Sequence, residues 1–119
     1  MTKILAVDDS ASMRQMVNFT LTGAGYQVKD AEDGKQGLDC AKAEQFDVIV
    51  SDINMPVMDG ITMISEIRKL PQYKSVPILM LTTESSNDKK MAGKQAGATG
   101  WIVKPFNPDQ LLKIIARVV

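Results

Sequence analysis

Apolar and polar positions alternate along the chain in blocks that predict strands and helices in turn. Short apolar runs rich in β-branched residues indicate buried strands at residues 4–7, 48–52, 78–81 and 101–103. Residues 26–30 form a more polar run, which is typical of a strand at the edge of a sheet. The chain therefore offers five candidate strands, one of them with the composition of an edge strand.

Between these runs, apolar residues recur every three or four positions, as they do along the buried side of a helix. A serine cap and two glycines delimit the first helix, and residues 33–44 form the second. The third helix follows the glycine at position 60. The last helix begins after residue 106 with the pattern Asn-Pro-x-Gln, which is typical of a helix start. We expect Ser10 or Ser12 to cap the first helix, and Gly23 and Gly25 to end it. The inward positions that we expect are Met13, Met16, Val17, Thr20, Leu21, Leu38, Ala41, Ile61, Ile64, Ile67, Leu70, Leu111, Leu112, Ile115 and Val118.

A fourth helix, at about residues 85–95, has the weakest apolar pattern. It offers Met91, Ala92 and Ala96 as contacts, contains Gly93, and is otherwise polar. Because so little apolar surface is available to anchor it, we expect this helix to pack weakly and to move.

Five strand-helix pairs with short connections predict an α/β fold with a five-stranded parallel sheet, right-handed crossovers and five helices on both faces. The connection between Pro71 and Pro77 is predicted to be a loop. At 119 residues, with no linker visible, the chain is expected to form one domain over residues 1–119.

Polar side chains follow the predicted strands where they end, at Asp8 and Asp9, Asp52, Thr82 and Lys104. The carboxyl ends of parallel strands share one edge of the sheet, where ligands bind in open α/β folds, so we expect these groups to converge. Repulsion raises the pKa of carboxyl groups held close together unless a cation neutralises them, and one lysine is too little for three carboxylates. Oxygen ligands and the absence of histidine predict a hard cation, with Mg²⁺ favoured. Helix capping without a metal, and an ordinary turn aspartate at Asp52, remain the alternatives.

Charge and cysteine content narrow the possible partners. Fourteen basic and fourteen acidic residues balance, so charge does not indicate a nucleic-acid or anionic-membrane surface. The single cysteine, Cys40, excludes an intramolecular disulfide and is expected to pack as a small apolar residue. Neither a signal peptide nor a membrane-length apolar run is present, so we expect a cytoplasmic protein without membrane contact.

Four motifs in this order and spacing resemble the receiver domain of bacterial two-component response regulators, and within it the single-domain chemotaxis regulators. They are the acidic pair at 8–9, the acceptor Asp52 followed by I-N-M-P-V-M-D-G, the L-T-T at 81–83 and the V-K-P-F at 103–106. The resemblance covers the whole chain. It implies a flavodoxin-like, doubly wound sheet with strand order 2-1-3-4-5.

The resemblance also implies a chemistry for the strand ends. Asp52 would accept a phosphoryl group, and Thr82 and Lys104 would hold its oxygens. Mg²⁺ would be bound directly by Asp9, Asp52 and the backbone carbonyl of Asn54, and through water by Asp8. Because the chain has no histidine, the phosphohistidine donor must belong to another protein.

Further positions have implied regulatory roles. Thr82 and Trp101 would form the switch, although the chemotaxis proteins usually carry tyrosine at the latter position, so plain packing is an alternative for this tryptophan. Asn54 and Glu84 would tune the lifetime of the phosphoryl group, and the Lys104–Pro105 peptide bond would be cis.

The implied protein is a monomeric, stand-alone phosphoacceptor, not a dedicated enzyme, with slow self-dephosphorylation. A CheA-like histidine kinase would supply the phosphoryl group, and the surface of the fourth helix, fifth strand and fifth helix would bind an output protein such as a flagellar motor switch component. A phosphate sink and a regulator with a non-chemotaxis output are the alternatives.

Three other classes fit the residues less well. A haloacid-dehalogenase-type phosphatase places an acidic general acid two residues after its nucleophile, and here that residue is Asn54. A flavin or nucleotide binder requires a phosphate loop, and Gly23-Ala24-Gly25 lacks the third glycine. A degenerate receiver would have lost an acidic or lysine position, and none is lost.

Overall fold

The computed structural model describes residues 2–82, 87–104 and 106–119, without the side chains of residues 87–89. Five strands alternate with five α-helices along this part of the chain, and one short 3-10 helix lies between the third helix and the fourth strand. In order they are β1 (Lys3–Val7), α1 (Ala11–Gly23), β2 (Gln27–Ala31), α2 (Gly34–Ala43), β3 (Val48–Asp52), α3 (Gly60–Arg68), the 3-10 helix (Pro71–Tyr73), β4 (Ile78–Thr82), α4 (Asn87–Ala96), β5 (Gly100–Val103) and α5 (Pro108–Val118).

The strands form one parallel sheet in the order β2-β1-β3-β4-β5, as the resemblance implied. The polar strand β2 lies at an edge, as its composition predicted. The three inner strands, β1, β3 and β4, consist almost entirely of buried residues, because helices cover both faces of the sheet.

Successive side chains of each strand enter two separate cores. Leu5 and Val7 point to the face covered by α2 and α3, whereas Ile4 and Ala6 point to the face covered by α1 and α5. Each fully buried aliphatic side chain contributes about 1.5–3 kcal/mol relative to an exposed one. In the described part of the chain, no helix is long and apolar enough to cross a membrane.

Capping side chains define where the helices begin. Ser10, not Ser12, caps α1, since its hydroxyl accepts the amide of Met13 at 3.3 Å. The predicted start of α5 is confirmed as a capping box between Asn107 and Gln110. These contacts set the helix starts within a few residues of the strand ends, where the polar groups collect.

The loop predicted between Pro71 and Pro77 was wrong in part, because it contains the 3-10 helix and a fully buried tyrosine. The hydroxyl of Tyr73 donates to the carbonyl of Glu44 and accepts the amide of Phe46 at 3.2 Å. A single short turn has no periodic apolar pattern, so the sequence carried no indication of this anchor.

The prediction for α4 needs one correction, because Met91 is 58% exposed and is not a core contact. The side of α4 that approaches the sheet is marked by Gly93, where an added Cβ would lie only 2.3 Å from the sulfur of Met80. Met91 is two residues before this glycine and so points about 200° away around the helix. The predicted first residues, 85 and 86, lie outside the described part of the chain.

Arg68, at the end of α3, ties the C-terminal end of α4 to the rest of the fold. Its guanidinium donates to the carbonyls of Gly97 at 2.9 Å and Val76 at 2.7 Å, and also to that of Tyr73. Burial lowers the pKa of Arg68. The carbonyls therefore take the place of water around a partly desolvated cation.

We expect Arg68→Met to lower the free energy of unfolding by about 2–3 kcal/mol, because charge-assisted hydrogen bonds are lost and carbonyls are left unpaired. Urea denaturation followed by circular dichroism measures this. Arg117→Met is the matched control, since Arg117 is exposed on α5, and it should change stability by less than about 0.5 kcal/mol. Equal stabilities for the two variants would contradict the anchoring role of Arg68.

Candidate functional site

The turn after β1 carries the first two carboxylates of the site. The amide of Asp8 donates to the carbonyl of Ala31 at 3.1 Å, which extends the pairing with β2 by one residue. The carboxylate of Asp8 is buried and accepts the amide of Ser10 at 2.9 Å, whereas Asp9 is exposed. One carboxylate is thus held inside the turn and the next one faces the solvent.

Asp52 is the last residue of β3, and the loop after it closes tightly on the strand. Its carboxylate accepts the amide of Ile53 at 2.8 Å. The amide of Gly60 donates to the carbonyl of Ile53 at 2.8 Å, and a Cβ on Gly60 would lie 2.1 Å from the carbonyl oxygen of Asp52. Only glycine permits this approach, so the start of α3 is held against the strand end that carries Asp52.

The strand ends do bring the predicted groups together. Oxygen atoms of Asp8, Asp9 and Asp52 all lie within 4.8 Å of one another. Lys104 follows β5, and its Nζ lies 3.2 Å from a carboxylate oxygen of Asp8 and 3.5 Å from one of Asp52. The ammonium group thus bridges two of the three carboxylates.

The environment raises the pKa of Asp52 above its ordinary value. Burial is the largest cause, the ammonium of Lys104 opposes it, and the charge of Asp8 adds to the rise. Repulsion between the carboxylates, which the sequence suggested as the cause, is therefore smaller than desolvation. Keeping Asp52 ionised in the folded protein therefore costs free energy, and a further cation near its carboxylate would reduce that cost.

Thr82 and Lys104 are linked through the backbone at the ends of adjacent strands. Thr82 is the last residue of β4 and is buried, and its carbonyl accepts the amide of Lys104 at 2.7 Å. This contact continues the pairing of β4 with β5 past its last partners, Thr82 and Val103. Lys104 therefore leaves the sheet at the level of the three carboxylates.

The predicted switch residue Trp101 faces outward in this structure. Its side chain is 39% exposed, and Nζ of Lys90 lies 5.1 Å from the centroid of the indole ring, within the range of a cation–π contact. Asn54 is exposed, two residues after Asp52. Glu84 and Pro105 lie outside the described residues, so the role of Glu84 and the cis bond at Lys104–Pro105 stay predictions.

The loop between Asp52 and Gly60 contains a strained residue that sequence reasoning missed. Val57 has a φ of 69°, a conformation that β-branched residues rarely adopt, and the amide of Met58 donates to the carbonyl of Pro56 at 2.7 Å across it. The carbonyl of Met58 then accepts the amide of Gly34 at 3.0 Å. The loop is thereby fixed to the start of α2 as well as to β3.

Arg14 makes a second contact that the sequence did not reveal. Its guanidinium reaches back from α1 and donates to the carbonyl of Asp8 at 2.8 Å. No motif includes this arginine, and its spacing from the acidic pair has no meaning until the turn is folded.

The donor set fits a hard divalent cation. Three carboxylates supply oxygen ligands within a few ångströms, and the chain contains no histidine that would favour a softer metal. One ammonium group cannot balance three carboxylates, so an excess of negative charge remains at this edge of the sheet, where Asp52 is partly desolvated. Such a cluster can bind Mg²⁺ and, with it, the oxygens of a phosphoryl group.

Comparison with known proteins agrees with the fold. The family model for the response regulator receiver domain matches residues 4–116. The chain therefore belongs to the response regulator receiver domain family, and it is a CheY-like receiver domain of a response regulator.

Its relatives include named chemotaxis proteins. A chemotaxis protein CheY homologue of Campylobacter jejuni is 40% identical over 98% of this chain and 92% of the relative. The structure of chemotaxis protein CheY4 of Vibrio cholerae is 58% identical, with a TM-score of 0.97 over 100% of this chain and 99% of that one.

A magnesium-bound relative is also known. The receiver domain of a sensor histidine kinase from Pseudomonas aeruginosa is 31% identical, with a TM-score of 0.92 over 98% of this chain and 96% of that one. That structure holds a magnesium ion coordinated in its active site cleft.

The raised pKa of Asp52 predicts how stability depends on pH in the absence of divalent cations. Between the ordinary pKa and the raised folded value, the folded protein binds a proton that the unfolded chain does not, so stability falls as pH rises through this window. We expect Asp52→Asn, which cannot ionise, to have a higher melting temperature than the wild type at pH 7 in EDTA. The difference should shrink as the pH falls to about 4, near the ordinary pKa of aspartate. A variant less stable than the wild type at pH 7 would mean that the ion pair with Lys104 outweighs burial.

Proposed function

We propose that this chain is a single-domain phosphoacceptor of a two-component pathway, with Asp52 as the acceptor. The observation that carries the proposal is the cluster of Asp8, Asp9 and Asp52 within 4.8 Å, with Lys104 bridging Asp8 and Asp52. The phosphoryl donor is a phosphohistidine of a separate kinase, since this chain has no histidine.

The residues of the site divide the reaction between them. A carboxylate oxygen of Asp52 forms the new P–O bond while the P–N bond of the donor breaks, and the donor imidazole keeps the electron pair and takes up a proton. Transfer of this kind depends on alignment and charge neutralisation more than on acid or base catalysis. Lys104 and Thr82 hold phosphoryl oxygens, and Asn54 and Glu84 tune how long the group persists.

Mg²⁺ is the cation that these residues would hold. Asp9, Asp52 and the backbone carbonyl of Asn54 are the proposed direct ligands, with Asp8 acting through a water molecule. When bound, the ion neutralises charge on the carboxylates and on the transferred phosphoryl group. The excess of carboxylates over ammonium groups, the burial of Asp8 and the partial burial of Asp52 support this assignment.

A phosphatase reaction is disfavoured by the side chain two residues after the acceptor. Asn54 is exposed, and its amide has no acidic proton to give to a leaving group. The chain would therefore store the phosphoryl group and lose it slowly by self-dephosphorylation, without being a dedicated enzyme.

The surface formed by α4, β5 and α5 is the proposed output surface. It exposes Met91, Trp101 and Val103, which are 58%, 39% and 42% exposed. Trp101 and Val103 line a groove of about 310 Å³, together with Ile102, Phe106, Gln110, Lys113, Ile114 and Arg117. Apolar groups with basic side chains at their margin suit a partner segment that combines apolar and acidic residues.

The names of the relatives support a chemotaxis pathway. In that case a CheA-like kinase is the donor and a flagellar motor switch component is an output partner. The protein would act as a cytoplasmic monomer. A phosphate sink would use the same acceptor chemistry without an output partner.

Phosphorylation should depend on Asp52 and on the cation. With a small acyl-phosphate donor and Mg²⁺, we expect intact-mass spectrometry to detect one added phosphoryl group on the wild type and none on Asp52→Asn. EDTA should abolish the labelling, because the carboxylates would then repel the incoming anion.

Asp59→Asn is the matched control for this experiment. Asp59 lies in the same loop, and its carboxylate caps α3 by accepting the amide of Thr62 at 2.7 Å, a role that asparagine fills equally well. It should be labelled like the wild type. Labelling of Asp52→Asn at the wild-type level would exclude Asp52 as the acceptor.

The free energy that phosphorylation can supply can be compared with the free energy that a complete switch requires. Taking the active form from about 1% to 99% requires about 5.5 kcal/mol of differential interaction. Charge-assisted hydrogen bonds from Thr82 and Lys104 to the phosphoryl group would contribute about 1.5–3 kcal/mol each. Two such contacts give about 3–6 kcal/mol, which meets the requirement only at its upper end. Over the rest of that range the switch is complete only when a partner also favours the active form.

We expect Thr82→Ala to accept phosphate yet to lose most of the phosphorylation-dependent change at Trp101 and in affinity for the partner. Trp101 fluorescence, recorded with and without the phosphoryl donor, measures the first change. Thr82→Ser keeps the hydroxyl and is the control that should respond like the wild type. If Thr82→Ala responds fully, the coupling runs through other residues.

A further inference from the structure

Arg14 links the acidic turn after β1 to the end of β2. One Nη donates to the carbonyl oxygen of Asp8 at 2.8 Å, and the other lies 3.7 Å from a carboxylate oxygen of Glu32. The arginine side chain is only 16% exposed, whereas that of Glu32 is 67% exposed. A largely buried arginine side chain is therefore held against the backbone of the site, and the carboxylate that balances its charge lies at the surface.

The carbonyl of Asp8 belongs to the planar peptide that joins Asp8 to Asp9. A hydrogen bond to this oxygen limits rotation of the whole peptide plane, and the plane sets the direction from which the side chain of Asp9 leaves the backbone. The carboxylate of Asp8 has its own restraints, from the amide of Ser10 and from Lys104. The contact from Arg14 therefore bears mainly on the exposed Asp9.

Glu32 determines how Arg14 affects the charge of the site. A cation next to three carboxylates weakens the attraction of a second cation unless its charge is balanced. The carboxylate of Glu32 supplies that balance from outside the cluster, so Arg14 can fix the turn while the cluster stays anionic. Because Glu32 is exposed, its effect should be smaller than that of Arg14 and should weaken as salt is added.

We propose that Arg14 is a positioning residue that orients Asp9 for the divalent cation, with Glu32 as its charge partner. This inference rests on the proposed function, because it assumes that the acidic cluster binds Mg²⁺. Groups that orient the ligands of a metal typically change affinity by about 10–100-fold when they are removed.

Isothermal titration calorimetry with MgCl₂ on the folded, unphosphorylated chain tests the inference without any activity assay. We expect Arg14→Met, which keeps the apolar stem of the side chain, to weaken Mg²⁺ binding by about tenfold. Arg14→Lys keeps a positively charged donor at the end of the side chain and should recover part of the loss. Lys42→Met, which removes a positive charge from the exposed last turn of α2, should bind like the wild type.

Glu32→Gln removes the charge that balances Arg14 and leaves the hydrogen bond from Arg14 to Asp8 in place, so it tests the charge effect separately from the orientation of Asp9. It should weaken binding less than Arg14→Met at low salt and match the wild type at high salt. In the Arg14→Met background it should have no effect, because Glu32 acts through the arginine. Melting curves recorded on the same samples show that each variant is folded at the titration temperature.

The outcomes distinguish this inference from the proposed function. If the wild type does not bind Mg²⁺, the proposed function fails. If the wild type binds and Arg14→Met binds equally well, Arg14 does not position the ligand and the inference is overturned. If Arg14→Met does not fold, Arg14→Lys and Glu32→Gln decide, and wild-type affinity in both overturns the inference.

Discussion

The bridge between Lys104 and the carboxylates of Asp8 and Asp52 is the constraint on which the site depends. Parallel strands that end together bring three carboxylates within 4.8 Å, at a place where burial already raises the pKa of Asp52. A single ammonium compensates two of them in part. The fold thus holds a concentrated negative charge that is incompletely neutralised, and this excess favours the binding of a divalent cation.

The surrounding loops are built so that the cluster keeps its geometry despite the repulsion. Gly60 allows the loop after Asp52 to close against the carbonyl of that residue, and Gly34 ties the same loop to the start of α2. Val57, whose backbone is strained, lies between Asp52 and Met58, the two residues that these glycines contact. Strain of this kind persists only where the neighbouring contacts over-determine the conformation.

The helix α4 is anchored at its C-terminal end and exposes an apolar side chain on its outer face. Its C-terminal end is fixed by the hydrogen bond from Arg68 to Gly97 and by the close packing of Gly93 on Met80. Its outer face, by contrast, exposes Met91 next to Trp101 and Lys90. One side of α4 therefore holds the helix to the fold, and the other side presents apolar and basic groups to the solvent.

The sequence by itself determined the number and type of the main elements, because buried strands and amphipathic helices have different apolar periods. It also determined which polar groups stand at the strand ends, since parallel strands all end at the same edge. Strand order came only from the family resemblance, because no local pattern states which strands are neighbours. Tertiary structure alone decided the inward face of α4, where a close approach at Gly93 outweighed the apolar side chain of Met91. It also decided the anchors Tyr73, Arg68 and Arg14, whose partners are backbone carbonyls and amides, and any residue type can supply those once the chain is folded.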